Sequence, residues 1–354
     1  MKYKQLYIPL TALSMALTAC AIPIDDTPFR SNNMEPLHVN KTPDLPLVPP
    51  NVDGIPHDIA TNRPPHMLPF TIPEPPIINP VSLEAADGFT DRAGRAIIKL
   101  DEYNRIVSYS PAFTEILVDL GLGDKVVATS TYDFTRGIPR NVTVFDTMNP
   151  SVEDVAAVDP DLIIASPLAG EALIGLNSSN ITVATVPTAN KIADIYDDLD
   201  FMGELLNKQD KTDELKQHMQ DVIHDYIVAA ADIEDKRTVY FEVAPAPNMY
   251  ATGADTFLNE MIEYVGGINV IAMPSWVRVT DHMIVAANPD VILTNSNYKD
   301  YPYLDIMKRN GWHNITAVDE YQVYQVDHPS TSLANHNIVN GMVEIARSIY
   351  PEFY

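Results

Sequence analysis

One phrase occurs twice in this chain, about 130 residues apart: Val155-Ala-Ala-Val-Asp-Pro-Asp-Leu-Ile-Ile164 and Val285-Ala-Ala-Asn-Pro-Asp-Val-Ile-Leu293. Each copy reads as a helix end, a proline stop and a short apolar strand. The apolar run is continuous rather than alternating, which suits a strand covered on both faces, as in a parallel sheet flanked by helices. Two such units imply two α/β lobes, and a cleft between lobes is a common place to hold a ligand. A length of 354 residues and an apolar share of 46% allow two cores of ordinary size.

The first twenty residues differ in kind. Lys2 and Lys4 precede the apolar stretch 6–17, and Leu17-Thr-Ala-Cys20 follows. A basic start, a short apolar run and small residues describe a secretory signal, whereas a membrane span needs roughly 20 apolar residues. The tetrapeptide resembles a bacterial lipobox, so Cys20 is the expected lipidation site and residues 1–20 the signal peptide. Cys20 is the sole cysteine, which excludes an internal disulfide. Residues 21–87 hold about half of the 29 prolines. Such a stretch favours extended polyproline II, rising about 3.1 Å per residue, and reads as a stalk. A formal charge of −25 argues against nucleic acid as a partner, because counterion release needs clustered Lys and Arg.

The lobes are expected at 88–190 and 236–354. Between them, residues 191–235 lack proline and carry apolar residues at helical spacing, which predicts a connecting long helix with a break conceivable at 207–211. Ser151 is the expected N-cap of the first repeat helix, and a closing helix is expected over 333–349.

Seven pieces then follow one another in order: Thr90-Asp-Arg-Ala-Gly-Arg95, Arg105-Ile-Val-Ser-Tyr-Ser-Pro-Ala-Phe-Thr-Glu-Ile-Leu117, Asn149-Pro-Ser-Val-Glu153, Asp159-Pro-Asp-Leu-Ile-Ile164, Gly253-Ala-Asp-Thr-Phe257, Gly266-Gly-Ile-Asn-Val270 and Asn288-Pro-Asp-Val-Ile292. Together they resemble the class III substrate-binding proteins of ABC importers, which carry ferric siderophores, haem or cobalamin. The likeness covers about residues 88–354. It implies two Rossmann-like lobes joined by a single long helix, a ligand cleft between them and limited hinge motion. It also implies an ABC permease and its ATPase as partners, with one glutamate per lobe docking on the permease. By position these are Glu171 and Glu260, with Glu263 as the alternative to Glu260. A monomer that is lipid-anchored outside the cytoplasm is expected.

In open α/β sheets ligands sit outside the carboxyl ends of the strands. That rule selects Tyr109, Tyr132, Met148, Tyr250, Trp276, Arg278, Tyr298 and His328 as ligand-binding candidates. Aromatic rings pack well against flat ligands, and Arg136, Arg140 and Arg278 offer positive charge. Haem would need axial ligands, for which Met148, His328 and His282 are available. On these grounds a ferric siderophore ranks first, haem second and cobalamin third. No catalytic cofactor is expected: a Gly-x-Ser-x-Gly elbow, a His-Glu-x-x-His helix and a cysteine nucleophile are all missing from the sequence. A cleft hydrolase and a surface adhesin are the rivals of different class. A bare-metal carrier is disfavoured because His218 and His224 do not share a helix face.

Overall fold

The computed structural model describes residues 89–354, apart from Ser179 and Lys299. The expected signal peptide, the stalk and Cys20 lie outside the described residues.

The chain first builds a five-stranded parallel sheet from β1 (Ile106–Ser108), β2 (Val126–Ser130), β3 (Thr143–Phe145), β4 (Leu162–Ala165) and β5 (Thr182–Thr185). Their spatial order is β3-β2-β1-β4-β5, with β1 central. Helices α1 (Pro111–Asp119), α2 (Val152–Ala157) and α3 (Pro167–Leu173) lie between the strands. Two helices follow, α4 (Ile192–Leu206) and α5 (Gln209–Ala230). The second sheet is mixed, with order β11-β10-β6-β7-β9. Its members are β6 (Thr238–Ala244), β7 (Tyr250–Thr252), β9 (Trp276–Arg278), β10 (Val291–Thr294) and β11 (Val323–Gln325), and β8 (Ile268–Asn269) joins the start of β6. Around it stand α6 (Phe257–Tyr264), α7 (Asp281–Ala287), α8 (Tyr303–Met307), α9 (Thr316–Asp319), α10 (His328–Ser332) and α11 (Ile338–Ile349).

The repeated phrase has one structural meaning in both lobes. After α2 and after α7 the chain turns through a left-handed residue, Asp159 (φ 50°) and Asn288 (φ 43°), a conformation that Asn and Asp tolerate. The proline follows, and then an aspartate whose carboxylate staples the start of the neighbouring strand. Asp161 accepts the backbone N–H groups of Asn104 and Arg105 at 2.7 and 2.9 Å, just before β1. Asp290 accepts the N–H and the hydroxyl of Thr238, both at 2.7 Å, at the first residue of β6. Each Pro-Asp therefore sets the register of two parallel strands where they begin: Ile106 opposite Leu162, and Val239 opposite Val291.

Residues 191–235 hold two helices rather than one. Asn207 takes the left-handed conformation, its amide donates to the Asp101 carbonyl at 2.9 Å, and its side-chain oxygen accepts from Lys99 at 2.8 Å. The chain then folds back, so that α5 packs against α4. A Cβ on Gly203 would lie 2.2 Å from the Thr212 hydroxyl, and glycine is what permits that approach. Helix α4 thus belongs with the first lobe, and the 22-residue α5 is the long link to the second. At 1.5 Å per residue it spans about 33 Å.

The predicted closing helix also begins later than expected, at Ile338. Residues 333–337 form an irregular strap of bends and turns, in which the Asn335 side chain accepts the N–H of Asn337 at 2.9 Å and donates to α1 of the other lobe.

One apolar core runs through both lobes. It includes Ile106 and Leu162 of the first sheet, Leu199 of α4, Met219 and Ile223 of α5, and Val239, Ile262 and Ile345 of the second lobe. Burying one such side chain is worth about 1.5–3 kcal/mol, so pulling the lobes apart would cost several of these. Thr90 and Ala96 pair across a turn at Gly94 (φ 77°), and the buried Asp91 ties this hairpin to the end of β5 by accepting from Thr185 N–H at 3.0 Å.

Candidate functional site: the strand ends of two lobes

In the first lobe every strand of the sheet ends in or just before a buried hydroxyl with no protein partner: Tyr109 after β1, Ser130 closing β2, Thr147 after β3, Ser166 after β4 and Thr185 closing β5. Buried polar groups ordinarily find partners, so this edge of the sheet is suited to water or to acceptor groups of a ligand. Tyr109 is 2% exposed, and its ring stacks on Phe145 with centroids 6.0 Å apart. Burial, with the charges of Asp154 and Asp146 behind it, pushes its phenol up to about 12.

The loop after β2 is stiffened by Asp133. Its carboxylate accepts from the Thr129 hydroxyl and, at 3.0 Å, from the N–H of Thr135. This loop presents Tyr132, half-buried, and Phe134, which is 80% exposed. Met148 is 41% exposed beyond β3. Its N–H donates to Asp146 at 2.8 Å, and the Asn149 amide donates to the same carboxylate, also at 2.8 Å. Those two bonds, Asn149's first, hold the Asp146 carboxyl below its usual range. Glu171 stands exposed on α3.

In the second lobe, β7 and β9 pair so that Tyr250 faces Arg278 and Thr252 faces Trp276. Directly opposed residues share a face, and residues two apart do so as well, which puts Tyr250, Trp276 and Arg278 on one side of the sheet. Trp276 is half-buried, its ring edge-on to Phe257 at 6.1 Å, while the exposed Arg278 donates to Asn248 at 3.2 Å. Tyr298, half-buried after β10, donates its hydroxyl to Asp305 at 3.1 Å.

His328 opens α10. Its Nδ1 lies 2.8 Å from the Asn295 carbonyl oxygen. A carbonyl can only accept, so Nδ1 carries the proton and the Nε2 lone pair stays available. Burial lowers the imidazole's pKa against the opposing pull of Asn295 and Asp327, so the ring is neutral at pH 7. His282 is exposed in the first turn of α7. Among the described residues, no three His, Cys, Asp or Glu side chains converge to hold a metal ion.

Glu260 departs from its expected place on an outer docking surface. It is half-buried at the joint between the lobes, where Oε2 accepts the N–H of Ile192 at 2.7 Å and so caps α4. Beside it Lys191 pairs with Asp255 at 2.9 Å. A carboxylate engaged in this way is not free to be offered to another protein, and burial raises its pKa despite the Ile192 bond and Lys191.

The strap makes a second joint. Asn335 donates to the Ala112 carbonyl at 3.1 Å and to Glu115 at 2.8 Å, Asn337 donates to Glu115 at 3.1 Å, and His336 meets Asp119 at 2.6 Å. Sequence reasoning did not single out this strap, nor Phe134, nor the buried pair Glu242–Arg309 described below. The one visible signal for the last is a lone acid inside the apolar strand Thr238–Ala244.

Two α/β lobes joined by one long helix, with aromatic and hydroxyl groups at the strand ends of both, have the architecture of a two-lobed solute-binding protein. The chain belongs to the periplasmic binding protein family, whose profile matches residues 106–329. It is 34% identical over 271 residues, 75% of this chain and 85% of the relative, to YvrC of Bacillus subtilis, described as an uncharacterized ABC transporter substrate-binding lipoprotein. A cobalamin-binding protein of Halobacterium salinarum is 27% identical over 213 residues, 58% of this chain and 57% of that protein. Among solved structures, a possible iron-binding (periplasmic solute-binding) protein from Staphylococcus epidermidis superposes with a TM-score of 0.61 at 29% identity, covering 70% of this chain and 99% of that one. Among the described residues no helix is long and apolar enough to cross a membrane.

Proposed function

We propose that this chain is the extracytoplasmic, lipid-anchored receptor of an ABC importer. It captures an intact metal chelate of low net charge between its lobes and passes it to the permease, which the ATPase drives. The observation that carries this reading is the pairing of half-buried rings (Tyr132, Tyr250, Trp276 and Tyr298) with buried, unpartnered hydroxyls, alongside the lack of any three-ligand metal cluster among the described residues. Such a site suits a metal that arrives already wrapped in an organic ligand.

Within that class we place cobalamin first. The most deeply set guanidinium, Arg309, is neutralised by Glu242, which leaves it no net charge to offer an anionic ferric siderophore. The name of the Halobacterium relative points the same way. Haem is the second reading, supported by the free Nε2 of His328 and the exposed Met148.

Glu171 is the proposed docking acid of the first lobe. Cys20 is the proposed anchor, consistent with the lipoprotein name of the Bacillus relative. The test is titration of the purified chain with cyanocobalamin, haemin, ferric hydroxamate and catecholate siderophores and free zinc, read by the fluorescence of Trp276 with Trp276→Phe as control. Saturable quenching by cyanocobalamin supports the proposal. A Soret shift with haemin, lost in Met148→Ala, selects haem instead, and no response to any chelate overturns the reading.

A further inference from the structure

We infer that Arg309 is a positioning residue that holds the ligand-facing loops of the second lobe in one mutual arrangement. This rests on the solute-binding reading above. The guanidinium sits just after α8 and is largely buried, with a side chain 11% exposed. Its fork grips Glu242, itself 1% exposed inside β6: Nη1 to Oε2 at 2.8 Å and Nη2 to Oε1 at 3.1 Å.

The same group reaches two further loops. Nη1 donates to the sulfur of Met249 at 3.0 Å, immediately before Tyr250. The guanidinium also lies over the Trp312 ring at 4.2 Å, and Trp312 Nε1 donates to Asp281 at 2.7 Å, which pins the start of α7 just after Trp276–Arg278. Tyr240 donates its hydroxyl to the same oxygen, Glu242 Oε2, at 3.2 Å. In its own segment Arg309 donates its N–H to Ile306 at 3.1 Å, at the end of the α8 connection that follows Tyr298. One planar group thus touches the strand β6, the loop that delivers Tyr250 and the ring that fixes α7.

A buried ion pair is a poor source of net stability, because desolvation offsets most of the attraction and apolar residues of similar volume often do as well. What it supplies is direction. The guanidinium fork and its flat face fix two carboxylate oxygens, a sulfur and an indole at once, a geometry that the single point charge of lysine cannot reproduce. The second lobe combines this locked hub with one buried unpartnered hydroxyl, Ser296 after β10, whereas the strand ends of the first carry five such hydroxyls.

The test compares Arg309→Lys and the apolar pair Glu242→Met/Arg309→Leu with the wild-type chain, using cyanocobalamin affinity, the melting midpoint and amide hydrogen exchange without ligand. Arg309→Lys is expected to weaken cyanocobalamin binding about 10- to 100-fold and to speed exchange over residues 245–250 and 281–284, with fluorescence still reporting a folded chain. The apolar pair is expected to restore the melting midpoint without restoring affinity, which a merely structural role would not produce. Exchange unchanged in both loops, or affinity within two-fold of wild type in either variant, overturns the inference. If wild type binds no chelate while exchange in the variant still rises at both loops, the ligand reading has failed and the positioning role stands.

Discussion

Replacing Asp290 by alanine removes the acceptor of two donors, the N–H and the hydroxyl of Thr238, at the point where β6 enters the second sheet. A hydrogen bond to a charged acceptor contributes about 1.5–3 kcal/mol, and a polar group left buried adds a desolvation penalty of similar size. Thr238 is half-buried, so water recovers part of the loss, and Asp290→Ala should cost about 2–3 kcal/mol. For a body of this size that lowers the melting midpoint by about 4–10 °C. The same change at Asp161 strips two N–H groups whose residues, Asn104 and Arg105, are exposed, so water substitutes readily and the cost is about 1 kcal/mol. The assay is urea denaturation of both variants beside the wild type, with hydrogen exchange at residues 238–241 and 104–107 locating the loosened strand. Should Asp161→Ala prove the more costly, or Asp290→Ala cost less than about 0.5 kcal/mol against the range used here, the stapling argument fails.

Three further outcomes follow from the buried titratable groups. Burial raises the Asp198 carboxyl to about 7 in spite of its 2.8 Å bond from Arg92, so the folded chain holds this proton more tightly than the unfolded one. Stability should therefore fall as pH rises from about 4 towards 7, and Asp198→Asn should flatten that slope in melts run across the window. Glu260→Ala should cost about 1–2 kcal/mol and expose the Ile192 amide to exchange while leaving chelate affinity within a few-fold, measured by titration. His328, whose pKa burial lowers, should make the chain lose stability as pH falls through about 6.5, the ordinary imidazole value, and His328→Gln should remove that step.

The parts of the fold that could be read from the chain are those whose chemistry is local. A left-handed Asn or Asp, a proline and a strand-stapling Asp lie within four residues of one another, and the apolar run that follows needs no partner to be recognised as a buried strand. The strap was missed for the opposite reason. Leu333-Ala-Asn-His-Asn337 is compatible with a helix, yet Asn335 and Asn337 spend their amides on α1, more than 200 residues away in sequence. The break between α4 and α5 lay between these extremes: Asn207 marked it, while the fold-back depended on Gly203 meeting Thr212. At the site, topology alone placed the aromatics, since strand ends are predictable once strands are. Glu260 and Arg309 were not legible, because the partners that decide what they do, Ile192 and Glu242, stand 68 and 67 residues away.

The two ends of each sheet divide the work of the molecule. At the amino ends both lobes use the same joint, a Pro-Asp staple at the strand start. At the carboxyl ends they differ: the first lobe offers five unpartnered hydroxyls with exposed Phe134 and Met148, the second a single one at Ser296 and a locked ion pair, with Tyr250, Trp276 and Tyr298 on neighbouring elements. Because the stapled strands β1 and β6 are three and seven residues long, a substitution at their carboxyl ends need not disturb the staple that starts the strand. The continuous core and the two polar joints, Glu260 on α4 and the strap on α1, tie the two lobes together. On the proposed reading, selectivity on this scaffold would arise from the unlikeness of the two carboxyl ends, and the likeness of the amino ends would leave them free to differ.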